Sequence, residues 1–177
     1  MNVRAISWNH PHIELRSSHI HGLGAFANAP LRAGETLFIW GGLLADWDDF
    51  TSGRITSRSC MALKEGLYLG KLPAFGDFAD DYANHSCDPN AWLIDSVTVV
   101  VRRDIALNEE VTIDYATFYE LDDWIVTEDC HCGAACCRKR VTGADWQLPE
   151  LQERYAGHFS PLLEERIRLL SDPKPAS

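Results

Sequence analysis

Hydrophobic and polar positions along this chain change over in short bursts, and few runs are long enough for a helical stripe. Thr36-Leu-Phe-Ile-Trp40 is apolar and rich in strand-favouring residues, bounded by Pro30 to Gly34 before it and Gly41-Gly42 after it. Ala91 to Ile94 and Ser96 to Arg102 read as two strands, the second carrying the β-branched run Val97 to Val101 of a buried strand. Val111 to Tyr115 is a further strand, reached through the loop Arg103 to Glu110, and Tyr68 to Leu72 reads as a short one. Gly22-Leu-Gly24 makes a turn into an alternating segment ending at Ala27. Residues 45 to 66, with Asp46, Asp48 and Asp49, are polar with modest helical signal and read as an insertion on the sheet core. Only the end of the chain has helical spacing: Pro149 suits a first helical position, Leu151 and Tyr155 share a face, and Gly157 can stop the helix. A second helix starts at Ser160-Pro161 with Leu163, Ile167 and Leu170 on its packing face. Many short strands with frequent turns predict a mostly β fold.

Composition changes this picture little. A chain of 177 residues, 46% hydrophobic and 24% charged, can bury one core. No stretch approaches the roughly 20 apolar residues of a membrane span, and the first residues lack a signal peptide's apolar core, so a cytoplasmic location with no membrane partner is expected. Residues 172 to 177 read as a disordered tail. The formal net charge of -10 and the pI of about 5.0 argue against direct nucleic-acid binding and suit a basic partner.

Chemistry concentrates in two places. The stretch Asp80-Asp-Tyr-Ala-Asn-His-Ser-Cys-Asp-Pro-Asn90 sets an amide, an imidazole, a hydroxyl and a thiol side by side on a bend. Downstream, four of the six cysteines fall within Cys130-His-Cys132-Gly-Ala-Ala-Cys136-Cys137. Clustering of this kind favours metal over disulfides, and thiolates are the usual ligands of structural zinc. Adjacent residues such as Cys136 and Cys137 rarely both reach one ion, so a fourth ligand from elsewhere is expected, with Cys87 the best candidate.

Four pieces in this order resemble the SET-domain protein lysine methyltransferases: Gly22-Leu-Gly24, Asn84-His-Ser-Cys87, Glu109-Glu-Val-Thr-Ile-Asp-Tyr115, and Cys130-His-Cys-Gly133 with Cys137. The resemblance covers about residues 14 to 146. It implies a β-clip-like fold of small curved sheets with a pseudoknot, followed by C-terminal helices. It divides the chain into a SET domain over 1–119 with its core at about 14–117, a post-SET zinc segment over 120–146, and helices over 147–171. The implied activity is S-adenosylmethionine-dependent methyl transfer to a lysine of a basic protein, histone or histone-like.

Carried over, the family pattern sets the backbone of Gly22, Leu23 and Gly24, with Asn84 and His85, against S-adenosylmethionine, and makes Tyr115 the catalytic tyrosine and a neighbour of the cofactor. It implies structural Zn2+ on Cys87, Cys130, Cys132 and Cys137, and an aromatic at Trp146 on the adenine. Asp77, Asp80, Asp81 and Asp88, with Asp122, Asp123, Glu128 and Asp129, are expected to attract a Lys/Arg-rich peptide. The chain departs from the pattern at Asp81, where many members carry arginine, and at Trp40-Gly-Gly42, which replaces Tyr-x-Gly. Those departures motivate a second reading, a catalytically weak SET-like zinc module that binds basic proteins. Ile113 stands where many histone-directed members carry an aromatic, which implies room for a more methylated lysine.

Overall fold

The structure, a computed structural model, describes residues 3–56, 60–127 and 129–171. The expected tail over 172–177 and the acid Glu128 lie outside them. Two four-stranded sheets form the body. The first has the order β1-β4-β10-β9, from Trp8–Asn9, Thr36–Ile39, Thr98–Val101 and Ala91–Leu93. The second has the order β2-β3-β11-β8, from Ile13–Ser17, Leu23–Ala27, Glu110–Ile113 and Asn84–His85. All pairings in these sheets are antiparallel except β8 with β11, which sets Asn84 opposite Thr112 and His85 opposite Ile113. The chain thus leaves one sheet after His85, builds the β9–β10 hairpin in the other, and returns as β11. The two central motifs lie side by side, as the expected knot-like arrangement requires.

Burial follows the side-chain pattern. Val99, Val100 and Val101 are all buried, as the β-branched run predicts, and Val99 and Val101 join Leu37, Phe38, Val111 and Ile113 in the main core. At about 25 cal/mol per Å2 of apolar surface, each such side chain stabilises the fold by roughly 1.5–3 kcal/mol before chain entropy is counted.

The described residues between 45 and 66 hold more regular structure than a polar insertion. Leu43–Ala45 (β5), Leu67–Gly70 (β7) and Met61–Lys64 (β6) form a third sheet in the order β5-β7-β6, with α1 at Trp47–Thr51 between them in sequence. Asp46 caps α1 by accepting from the Asp49 N–H at 2.9 Å while Asp49 accepts from the Asp46 N–H at 3.2 Å. Met-Ala-Leu-Lys has no β-branched residue to announce a strand; β6 exists because β7 supplies its ladder.

After β11, Ile125–Thr127 (β12) pairs with Val141–Thr142 (β13) and brackets the cysteine-rich segment. Pro149–Arg154 (α2) and Pro161–Ser171 (α3) follow, each beginning on its proline. Leu151, Tyr155, Phe159 and Leu163 pack around Trp146. The expected face of α3 holds only in its first turns, since Leu163 is fully buried and Leu170 is 58% exposed. No helix among the described residues is long and apolar enough to cross a membrane.

Candidate active site and cysteine cluster

The Gly22-Leu-Gly24 turn closes the β2–β3 hairpin, with the Ser18 N–H donating to Gly22 O at 2.9 Å. Gly22 takes a positive φ of 50°. Gly24 is fixed by packing: a Cβ there would stand 2.2 Å from Glu110 Oε1. That carboxylate is buried and accepts from Ser18 Oγ at 2.8 Å and from Asn84 Nδ2 at 2.7 Å. Asn84 Nδ2 also lies 3.2 Å from His21 O and 3.1 Å from Leu23 O. One amide therefore ties the glycine turn, β8 and β11 together.

His85 turns the other way. Its Nδ1 accepts the Tyr115 N–H at 3.2 Å and its Nε2 lies 3.3 Å from Cys87 Sγ. Burial pulls its pKa down to about 4, against the opposing charge of Asp114, so the ring is neutral at pH 7. Both side chains of the Asn-His pair thus make contacts within the chain, Asn84 to the glycine turn and β11 and His85 to Tyr115 and Cys87.

Tyr115 follows β11 directly, and its hydroxyl donates to Ala83 O at 3.0 Å, one residue before the Asn-His pair. It lines a cleft of about 80 Å3 together with Trp40, Ile113, Phe118 and Tyr119. Trp40 meets Phe118 edge-on at 5.6 Å, so the replaced Tyr-x-Gly position still supplies an aromatic wall. A narrow aromatic cleft ending at a phenol can desolvate and aim an alkylammonium side chain.

The acids of the central motif have partners within the chain. Asp80 and Asp81 line the Tyr115 cleft with Lys71, and both are paired there: Lys71 Nζ lies 3.0 Å from Asp80 Oδ2 and 2.6 Å from Asp81 Oδ1, with the Lys71 side chain 4% exposed. Two buried carboxylates need such a cation, and Lys71 gave no sign of this role in the sequence because it lies on the strand side of a turn. Asp77 accepts from Tyr82 Oη, Asp88 pairs with Arg102 at 2.9 Å, and Asp122 accepts from Trp146 Nε1 at 3.1 Å. Trp146 itself is 4% exposed, with its N–H bonded, and packs in the core cluster of the C-terminal helices.

The sulfurs of Cys87, Cys130, Cys132 and Cys137 all lie within 4.8 Å of one another. A tetrahedral zinc ion with Zn–S bonds of about 2.3 Å sets its sulfurs about 3.8 Å apart, so these four thiols fit such an ion. Backbone N–H groups support the sulfurs, Arg138 N donating to Cys87 Sγ at 3.4 Å and Cys87 N to Cys132 Sγ at 3.5 Å. Cys136 is exposed and turns away, its thiol 3.3 Å from Cys87 O.

Sequence reasoning missed what joins the two halves. Arg138 donates both terminal nitrogens to Asp114 at 2.7 Å each and its Nε to Asp145 at 2.8 Å. Asp114 is fully buried and also accepts from Tyr155 Oη at 3.1 Å and the Ala116 N–H at 3.0 Å. Asn90, on the bend of the central motif, reaches farther than its own turn. It is 1% exposed, donates to Glu110 O at 2.8 Å and accepts from Thr112 N at 2.9 Å, stitching the bend to β11. A polar residue inside an apolar neighbourhood was the available signal for Asn90.

A family model described as the SET domain matches residues 22–116. The chain belongs to the SET-domain family. Among curated relatives of this SET protein, histone-lysine N-methyltransferase ASHH3 of Arabidopsis thaliana is 37% identical over 67 residues, covering 34% of this chain and 17% of the relative. Histone-lysine N-methyltransferase trithorax of Drosophila virilis is 31% identical over 133 residues, covering 69% of this chain and 3% of the relative. The chain thus spans less than a fifth of the length of either relative. The fold is shared with the methyltransferase domain of human histone-lysine N-methyltransferase SETMAR, at TM-score 0.58 and 19% identity over 75% of this chain and 58% of that one. It is shared also with KRYPTONITE solved with mCHG DNA and SAH, at TM-score 0.55 and 22% identity over 72% of this chain and 28% of that one.

Proposed function

We propose that this SET protein is an S-adenosylmethionine-dependent protein lysine N-methyltransferase acting on a basic protein, histone or histone-like. The observation that carries the reading is the junction of its two motifs: Tyr115 Oη bonds Ala83 O at 3.0 Å at the end of an aromatic cleft, beside the strand that carries Asn84 and His85. The methyl donor supplies an electrophilic carbon on a sulfonium. The chain's own part is alignment, since effective molarity from correct positioning can account for about 7–11 kcal/mol of a barrier.

The backbone at Gly22, Leu23, Gly24, Asn84 and His85 is the proposed face for the donor. Support comes from the Asn84 amide, which holds that turn and β8 on the Glu110 carboxylate before any ligand arrives. A lysine entering the cleft sheds water between Trp40, Phe118 and Tyr119, which lowers its amine pKa from about 10.4 and favours the neutral nucleophile. Tyr115 Oη accepts an amine N–H and turns the lone pair along the cleft axis. Cys87, Cys130, Cys132 and Cys137 are the proposed ligands of a structural zinc that fastens the C-terminal segment to the Asn-His strand.

The test is transfer of labelled methyl onto histones and basic peptides, with wild type beside Tyr115→Phe. Wild-type labelling on lysine, reduced at least a hundredfold in the variant, is expected. Equal labelling by both proteins, or none by wild type, would refute the reading.

A further inference from the structure

Next to the Tyr115 cleft lies a second recess, of about 30 Å3, which shares Cys60, Phe118 and Tyr119 with it as a common wall. Its other sides come from distant parts of the chain. Trp47 and Phe50 are on α1, Tyr68 is on β7, and Glu120 and Trp124 follow the last turn of the SET core. Trp47 lies 5.1 Å from Phe50 and 6.0 Å from Tyr68, while Tyr119 and Trp124 stand at 84° to each other, 6.1 Å apart. Trp47 and Trp124 are 44% and 41% exposed, unusual for such large apolar rings.

One acid is built into this aromatic surround. Burial raises the pKa of Glu120 against the opposing charge of Arg166, and Glu65 and Asp122 raise it further. Its charge is felt across the recess, because Tyr68, Tyr119 and Cys60 are each shifted upward first by burial and next by Glu120. Among the described residues, Arg166 is the guanidinium whose charge reaches Glu120, and its donors go to other groups: the backbone Glu120 O at 3.0 Å and the Glu65 carboxylate at 3.1–3.2 Å. Aromatic faces attract cations, and a half-buried carboxylate that forms no ion pair among the described residues is stabilised by one. The volume admits a water-sized head group and little more, which suits an ammonium or the edge of a guanidinium.

Spacing then names the occupant. Tyr119 belongs to the walls of both the cleft and the recess, and its ring centroid lies 5.6 Å from that of Tyr115, so the two adjoin within about one side-chain spacing. In an extended peptide, side chains two residues apart point to the same side at about 6.6–6.8 Å. We propose that the recess of Trp47, Phe50, Tyr68, Tyr119, Glu120 and Trp124 takes the cationic tip of a lysine or arginine of the substrate, two residues from the lysine held at Tyr115. This rests on the methyltransferase reading and adds to it a sequence preference that this chain's own residues impose.

The experiment measures steady-state methyl transfer to peptides that differ only two residues before or after the target lysine, carrying lysine, arginine, trimethyllysine, glutamine or glutamate there. Wild type, Glu120→Gln and Trp124→Ala are compared after circular dichroism has verified their folding. Wild type should favour lysine or arginine over glutamine at least tenfold in kcat/KM at one of the two positions, mostly through KM, and each variant should compress that ratio toward one. A wild-type ratio near one, a ratio unchanged in both variants, or a preference for trimethyllysine would overturn the proposal while leaving the methyltransferase reading intact. If wild type methylates no peptide, that reading fails first. The recess is then judged by tryptophan-fluorescence titration with the same peptides, where binding of the lysine or arginine peptide that weakens in Glu120→Gln supports it and equal binding of the glutamine peptide refutes it.

Discussion

Arg138 grips Asp114 with both terminal nitrogens, each at 2.7 Å, and Asp114 is the residue immediately before Tyr115. The cysteine-rich segment is thereby joined to the proposed catalytic tyrosine by a buried ion pair as well as by sulfur. Arg138→Ala would leave the fully buried Asp114 carboxylate with only its Tyr155 and Ala116 donors. Loss of about 3–5 kcal/mol is expected in denaturant unfolding. Arg138→Lys keeps the charge but not the fork, and should fall between wild type and alanine.

The Asn84 amide should be worth more than one hydrogen bond. Asn84→Ala strands one oxygen of the buried Glu110 and frees the glycine turn, so a cost of about 1–3 kcal/mol is expected, with weaker donor binding by calorimetry. Gly24→Ala should also destabilise, because its methyl would meet Glu110 Oε1 at 2.2 Å. In a double-mutant cycle, adding Glu110→Ala should recover part of the Gly24→Ala loss; strict additivity would contradict the packing argument.

Metal analysis should find one zinc per chain, held by Cys87, Cys130, Cys132 and Cys137. Cys87→Ser should lower zinc content and thermal stability, whereas Cys136→Ser should leave the zinc content unchanged, since that thiol points to Cys87 O instead. Chelation should release the ion and reduce methyl transfer, although the metal touches no reacting atom, because Cys87 is two residues from His85.

Glu120 gives a pH dependence whose sign follows from its environment. Burial raises its pKa in the folded protein, so the folded state holds the proton more tightly than the unfolded one. Its contribution to stability is fully present below the unfolded value of about 4.5 and is lost as pH rises through the folded value. Glu120→Gln should therefore gain stability relative to wild type as pH goes from 4 to 7, in urea unfolding series at each pH. A difference constant across that range would count against a carboxylate whose burial outweighs the charge of Arg166.

Ile113 lines the cleft beside Tyr115 and is 1% exposed. An aliphatic side chain there leaves space around the amine that an aromatic would fill, so mass spectrometry should detect products beyond monomethyllysine. Monomethyl product alone would show that another wall limits the cleft.

The sequence by itself determined the strands that carry their own signal and the identity of the reactive groups. The β-branched run at Val97 to Val101 can be little but a buried strand, and the clustered cysteines announce a shared ligand. The order of Gly22-x-Gly24, the Asn-His motif and Asp114-Tyr115 was enough to anticipate the family. Only the tertiary structure decided where those groups point. Lys71 lies between Asp80 and Asp81, Arg138 reaches 24 residues back to Asp114, and Trp146 fills a core, all through contacts between segments far apart or folded back on themselves. Buried charges and large rings take their partners from whatever the packed chain brings near, and local periodicity carries no record of that choice. The recess at Glu120 shows the same limit: its walls come from α1, β7 and the segment after Tyr115, and they form a site only once the sheets have closed.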